Sequence, residues 1–372
     1  MKVLRPTVAV IDLDAIRFNV NQVKRKVAPA EVMAVVKSNA YGHGDYEVTQ
    51  AVLDSGASCL GVALVEEGIA LRKKGIIAPI LVFGGFFPAD IPLYVEYNLH
   101  YTLDTERNLQ ALQKITEEKN TSAKVHIKVD TGMGRVGVPI AQALDFVKNT
   151  SRNSRIELVG IYTHFATSDE KDKSFANLQL QRFMELNKHI ENEGIHIPSK
   201  HAANSGAILD LPNSYLDLVR PGIMLYGYYP SPETSESILI KPAMTLKSKV
   251  IMVRNIDRGV SVSYGRKYIA RQETFIATIP IGYADGYNRL LSNRAKVKIR
   301  DQVYPVVGRV CMDQILIDVG PNSKIDIGDD VILLAPNEGE DVHMNNFCKI
   351  LQTIPYEVSC RISERVPRVY VN

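Results

Sequence analysis

Apolar and polar positions alternate along this chain in two rhythms. Up to about residue 227, short runs rich in β-branched residues are each followed by a longer segment of helical period. EVMAVVK (31–37) precedes YEVTQAVLDSG, CLGVAL (59–64) precedes VEEGIALRKKG, and PILVFGG (79–85) precedes PADIPLYVEYN. AKVHIKVD (123–130) leads into PIAQALDFVKN, and IELVGIYTHF (156–165) into the stretch from Lys173 to Glu193. With LHYTL (99–103), a strand near His201 and LVRPGIMLYG (218–227), about eight strand-helix units result. Apolar runs of this kind suit parallel strands covered on both faces. Eight such units predict an α/β fold, a (β/α)8 TIM-type barrel. Periodicity by itself leaves an open doubly wound sheet as the alternative.

The rhythm breaks at YYPSPETSES (228–237), rich in Pro, Ser and Glu as a linker should be. Beyond it, AMTLKSKVIMVR, TFIATIPIGYA, AKVKIR, QVYPVVGRV, QILIDVG and DVILLAP are strand-like runs between Gly, Asp or Asn turns. The expected domains are a barrel over 1–238 and a β-rich C-terminal domain over 239–372. A chain of 372 residues with 45% hydrophobic and 23% charged residues has the balance of a globular protein with a sizeable core. The net charge of +3 is too small for a phosphate-backbone surface, so nucleic acid is not an expected partner. Cysteines at 59, 311, 348 and 360 show neither a CxxC pair nor zinc spacing, so no metal is expected and a reducing compartment is. Lys2 and Arg5 precede an apolar run, Val8 to Ile11, that Asp12 and Asp14 interrupt too early for a signal peptide. No stretch approaches the roughly 20 apolar residues of a membrane span. The expectation is a cytoplasmic protein without membrane partners.

In a barrel of this kind the strand ends meet at one mouth, where distant residues become neighbours. The runs here end in Lys37, in Asp130 with Arg135 just beyond, in His164, in Asn204 and Ser205, and in Arg220. A lysine beside an apolar run ordinarily snorkels to solvent. At a barrel mouth, partly stripped of water, its amine becomes a nucleophile for a carbonyl. In AKVHIKVD, Val125, Ile127 and Val129 share one face and His126, Lys128 and Asp130 the other. Lys128, turned inward, needs a compensating negative charge, which carbamylation supplies and to which Arg135 can pair. TGMGRVG (131–137) holds a formal GxGxxG, but the acid some 20 residues on, Glu157, enters the next strand instead of ending it, against a dinucleotide site. Gly222 and Ile223 offer backbone N–H groups to a phosphate, with Ser205 and Tyr41 as further donors; a glycine turn closing the last strand is the alternative. Tyr264, Tyr283 and Tyr356 in the second domain read equally as core or edge residues.

Taken together, AVVKSNAYGHG, KVDTGMGRVG, YTHFA, HAANSGA, RPGIMLYG, SYGR, GYADGYNR, GRVCMDQ and PYEVSCRISERVPR resemble the alanine racemases, fold-type III pyridoxal-phosphate enzymes, nearly end to end and in order. The resemblance implies that Lys37 carries pyridoxal 5'-phosphate and that Tyr41, Ser205, Gly222, Ile223 and Tyr356 hold its phosphate. It implies that Arg220 faces the pyridine nitrogen. Arg135, steadied by carbamylated Lys128, would contact the phenolic oxygen and the substrate carboxylate, the latter shared with the Met312 backbone. Tyr264 would enter from the other subunit of a homodimer. Asp172, Tyr283, Arg289 and Arg309 resemble residues of the access corridor.

The implied reaction interconverts L- and D-alanine, a supply of D-alanine for bacterial peptidoglycan. It needs acid/base groups on opposite faces of the substrate, Lys37 and Tyr264. A tyrosine ordinarily titrates near pH 10, so its ionised form needs a positive neighbourhood, for which His164 linked to Arg220 is suited. An arginine opposite the ring nitrogen can only donate, leaving that nitrogen unprotonated and side reactions suppressed. Racemisation of another small amino acid such as serine, decarboxylation on the same fold, a non-catalytic carrier of the cofactor and a cofactor-free barrel enzyme are the rivals. A decarboxylase profits from a carboxylate where Arg220 stands. A carrier needs no second domain.

Overall fold

The computed structural model describes residues 5–84 and 87–372; Lys2 and Gly85, named above, lie outside the described residues. The chain forms two compact units. One is Ile16–Ala40 with Asp45–Ile240; the other joins the described residues up to Ala15, Tyr41–Gly44 and Lys241–Asn372. The first strand, β1 (Val8–Asp12), belongs to the latter, and α1 (Leu13–Val27) follows it.

In the former unit β2 (Glu31–Val35), β3 (Cys59–Val62), β4 (Ile80–Val82), β5 (His100–Leu103), β6 (Ala123–Asp130), β7 (Ile156–Tyr162), β8 (Ser199–His201) and β9 (Leu218–Val219) are parallel strands in the order β9-β2-β3-β4-β5-β6-β7-β8. A parallel bridge between Asn204 and Arg220, just past β8 and β9, brings the ends of the sheet together into a nearly closed barrel. The open-sheet alternative falls with it. The expected run of strand at 218–227 stops at Val219, because Pro221 has no N–H for a ladder, and Ile223–Tyr226 winds into a 3-10 turn. Between the strands lie α2 (Asp45–Asp54), α3 (Val65–Lys73), α4 (Ile91–Glu96), α5 (Glu106–Glu118), α6 (Ile140–Ser151), α7 (Ser174–Asn192) and α8 (Ser205–Asp210). Helix α7 buries Ala176, Leu180, Phe183, Leu186 and Ile190, spaced by three or four residues as one helical face requires. Helix α5 starts where the Thr105 hydroxyl accepts from the Asn108 N–H at 3.2 Å.

The other unit is built on a nine-stranded sheet. Its remaining strands are β10 (Met244–Lys249), β11 (Met252–Ile256), β12 (Thr274–Ile279), β13 (Lys296–Ile299), β14 (Gln302–Val307), β15 (Ile315–Gly320), β16 (Asp330–Leu334) and β17 (Arg368–Val371), in the order β11-β12-β15-β14-β13-β16-β10-β1-β17. Thus β1, which a boundary at residue 238 counts with the barrel, pairs antiparallel with β10 and parallel with β17. Two short helices, α9 (Met344–Leu351) and α10 (Pro355–Cys360), precede the last strand. Proline at the start of α10 leaves one orphan N–H fewer there. Among the described residues no helix is long and apolar enough to cross a membrane.

Candidate active site

Lys37 stands two residues past β2, half-buried, and the backbone after it winds the wrong way. Ser38, Asn39, Ala40 and Tyr41 have φ of 54°, 53°, 50° and 52°, a left-handed turn made without glycine. Each such residue costs roughly 1–2 kcal/mol, so the turn persists only where its surroundings hold it. One such hold is Glu67, whose carboxylate accepts the Ser38 N–H at 2.6 Å and, with its other oxygen, those of Ala63 and Leu64 at 2.7 and 3.1 Å. Sequence reading overlooked Glu67; at the third position of α3 it looks like an ordinary capping residue.

Arg220 is buried, 4% exposed, and surrounded by neutral partners. Its Nη1 donates to His201 Nδ1 at 2.9 Å, and its Nη2 to the carbonyls of Thr163 and Ala202 at 2.7 and 3.0 Å and to His164 Nδ1 at 3.3 Å. No described carboxylate pairs with it, and its Nε–H meets no acceptor among the described residues. Burial lowers its pKa to about 10, which leaves it charged at neutral pH. Burial first, then Arg220, hold His164 well below the usual imidazole range. His164 is therefore neutral, and the positive charge that the sequence shared between the pair rests on Arg220 alone. The rings behind them, His201 and Tyr162, stack at 4.8 Å with 6° between planes, and the guanidinium lies 5.2 Å from the Tyr162 centroid.

Lys128 is buried, as its parity on β6 requires. Burial, with Arg135 and Arg220 nearby, lowers its pKa to about 8. It forms no ion pair among the described residues; its amine sits 5.6 Å from the Tyr162 centroid. The exposed Arg135 likewise has no partner there. The glycine run beside it is engaged: the Gly132 and Gly134 N–H groups donate to the Asp130 carboxylate at 2.9 and 3.0 Å. That use leaves them unavailable to a pyrophosphate. At the other wall the Ser205 hydroxyl, at the start of α8, accepts the Gly222 N–H at 2.9 Å, next to fully buried Ile223.

The β-rich unit holds the remaining candidates. Tyr41 and Tyr356 meet with ring centroids 5.8 Å apart. Tyr264 is 70% exposed, at a turn flanked by Ser263 at φ 63° and Gly265 at φ 69° and tied by the Ser263 hydroxyl to the Arg309 carbonyl at 2.6 Å. Met312 is 52% exposed. Its loop is held by the Tyr283 N–H on the Cys311 carbonyl (3.0 Å) and the Ala284 N–H on the Met312 carbonyl (3.1 Å). Behind that turn buried Asp285 accepts the Gly282 N–H at 3.0 Å and a two-pronged pair from Arg5, both prongs 2.6 Å. Tyr283 and Arg289 line one open depression of about 660 Å³ with Arg361. Arg309 does not line it and packs near Gly265. Asp172, in the barrel unit, is exposed and accepts from the backbone and hydroxyl of Ser174 at 2.8 and 2.6 Å.

Residues 11–230 match the family described as alanine racemase, N-terminal domain, and residues 243–370 the alanine racemase, C-terminal domain. The chain is 45% identical to alanine racemase 2 of Caldanaerobacter subterraneus subsp. tengcongensis, over 99% of this chain and 95% of that protein. It is similar in structure to the alanine racemase of Clostridium difficile 630, with a TM-score of 0.95 at 38% identity, covering 100% of this chain and 97% of the other. A histidine racemase from Leuconostoc mesenteroides subsp. sake also matches, at TM-score 0.92 and 28% identity over 100% and 99%.

Proposed function

Since the chain belongs to the alanine racemase family, whose members are isomerases, we propose that it interconverts L- and D-alanine with pyridoxal 5'-phosphate borne on Lys37 and with Tyr264 of the partner subunit as the opposing base. The observation that carries this reading is Arg220: a buried cation with neutral partners and an Nε–H unengaged by the described residues. A pyridine nitrogen is an acceptor suited to that donor. The other residues fit the same cofactor. The Ser205 hydroxyl and the Ile223 N–H would face its phosphate, with the Gly222 N–H, which the Ser205 hydroxyl accepts, turning to it when it binds, and the tyrosine pair Tyr41 and Tyr356 would add two phenols. Arg135 takes the phenolic oxygen and, with the Met312 backbone, the substrate carboxylate.

When bound, the cofactor supplies a conjugated ring that accepts the electron pair left at Cα as its proton departs. The chain does the rest. Lys37 removes or returns the Cα proton on one face, and the partner subunit's Tyr264 on the other. Arg220, always a donor, keeps the ring nitrogen without a proton and so restrains the ring's electron demand. A carbamate on Lys128, formed when the neutral amine adds to carbon dioxide and releases one proton, supplies the anion that Arg135 lacks among the described residues. The exposure of Tyr264 and Met312 in a single chain supports their acting in a homodimer's other subunit. Asp172, Tyr283, Arg289 and Arg309 are assigned to the access corridor on resemblance alone. The same holds for cytoplasmic D-alanine supply to peptidoglycan.

The test is incubation of purified protein with L-alanine, with and without added pyridoxal phosphate, followed by chiral analysis and by borohydride reduction with peptide mapping. Cofactor-dependent formation of D-alanine and an adduct on Lys37 are expected; an adduct on another lysine overturns the assignment. The similarity to a histidine racemase supports a second reading, a different amino-acid substrate on the same site. Serine and histidine assayed beside alanine decide it.

A further inference from the structure

Behind Arg220 three imidazoles run in single file through the barrel interior. His201, the last residue of β8, accepts from Arg220 at Nδ1 (2.9 Å); its Nε2 lies 2.9 Å from His126 Nδ1 on β6, and His126 Nε2 lies 3.2 Å from His100 Nδ1 at the start of β5. Barrel interiors are ordinarily layers of branched apolar side chains, so three polar rings are costly unless each nitrogen is satisfied. Arginine settles how. A guanidinium has donors only, so His201 Nδ1 must be bare and its Nε2 must carry the hydrogen. That hydrogen makes His126 Nδ1 an acceptor and its Nε2 a donor, and the same step assigns Nε2–H to His100. The opposite polarity sets donor against donor at the first link.

The backbone is shaped around this file. A Cβ on Gly160 of β7 would stand 2.1 Å from His126 Nδ1, and the pairing of β6 with β7 slips register between Val125 and His126. Burial favours the neutral form at each ring, to about 4 for His100 and well below the usual range for His126 and His201. Donation at Nε2 makes the Nδ1 of the same ring a better acceptor, so the links reinforce one another toward Arg220.

We propose that His201, His126 and His100 form a one-directional hydrogen-bond chain that holds the Arg220 guanidinium in plane from behind, making the outer two histidines positioning residues for the reaction. The inference rests on the reading of Arg220 as the residue facing the cofactor ring.

Holoenzyme labelled with 15N-histidine is examined by NMR at pH 7. All three rings are expected neutral, with hydrogen on Nε2; an Nδ1–H tautomer or an imidazolium at any of them overturns the chain. This measurement needs no variant and no turnover, so its failure is distinct from a failure to racemise alanine. His126→Phe, at matched cofactor content, is expected to lower kcat roughly tenfold with KM little changed and to shift the His201 signals. His126→Gln, which keeps one acceptor and one donor, should restore most of both. Unchanged His201 signals in His126→Phe, or no difference between the Phe and Gln variants, would reject the positioning role.

Discussion

Lys128 shows how far one side chain's surroundings decide its chemistry. An ordinary lysine is almost wholly protonated at pH 8, and only a neutral amine attacks carbon dioxide. With its pKa lowered to about 8, chiefly by burial, about half of the unmodified Lys128 amines are neutral there. At a fixed level of dissolved carbon dioxide, carbamate formation should therefore grow as pH rises through 8 and slow roughly fiftyfold by pH 6, where about 1% of the amines are neutral. Protein given 13C-bicarbonate should show a carbamate carbon signal at pH 8 that is weak at pH 6 and missing in Lys128→Met; equal labelling in that variant would assign the carbamate elsewhere. The linkage sign agrees. Because the folded pKa lies below the unfolded 10.5, the unmodified group's contribution to stability is complete above pH 10.5 and is lost as pH falls through about 8. Bicarbonate, by modifying the folded form, should raise Tm more at pH 8 than at pH 6.

Elements enter through the turn that follows β2. Four left-handed residues in succession are maintained beside Lys37, and α3 reaches them through the Glu67 carboxylate. Glu67→Ala removes the acceptor of three N–H groups, of Ser38, Ala63 and Leu64. A loss of about 2 kcal/mol in urea unfolding is expected, together with weaker retention of pyridoxal phosphate as Lys37 loses its fixed backbone. Glu67→Gln, still an acceptor through its amide oxygen, should retain part of both. A full-strength Ala variant would mean that the turn is held by other contacts. Legibility at this scale was uneven. Most of the eight barrel strands were visible as β-branched runs, and Ser199–His201, which has no β-branched residue, was placed only by its position near His201; β1 was missed, since five residues beginning at Val8 have no helical partner segment before them and pair with strands more than two hundred residues away.

For the whole molecule the testable question is whether a complete site needs two chains. If Lys37 acts in one subunit and Tyr264 in the other's site, Lys37→Ala and Tyr264→Ala homodimers are each nearly inactive. A heterodimer then has one site with both defects and one with neither. Random reassociation of equal amounts makes about half the dimers mixed, so activity should return to roughly a quarter of wild type. Sites built within one chain recover nothing. Differently tagged chains that co-purify show that exchange took place, and exchange without recovered activity would reject the shared site.

The order of apolar runs, the strand ends that carry Lys37, Arg135, His164, Ser205 and Arg220, and the inward parity of Lys128 were all determined by the sequence itself. Strand period and chain order are local properties, and a parallel barrel turns them into neighbours by rule. Tertiary structure alone decided that His164 is neutral, that Arg220 meets no described carboxylate, that Glu67 pins the left-handed turn and that His126 lines up between His201 and His100. Those facts depend on distances between β5, β6, β8 and the segment after β9, and on how much water each group loses. Neither quantity is written in the spacing of residues along a chain; both arise when the barrel closes and the dielectric around each charge is set.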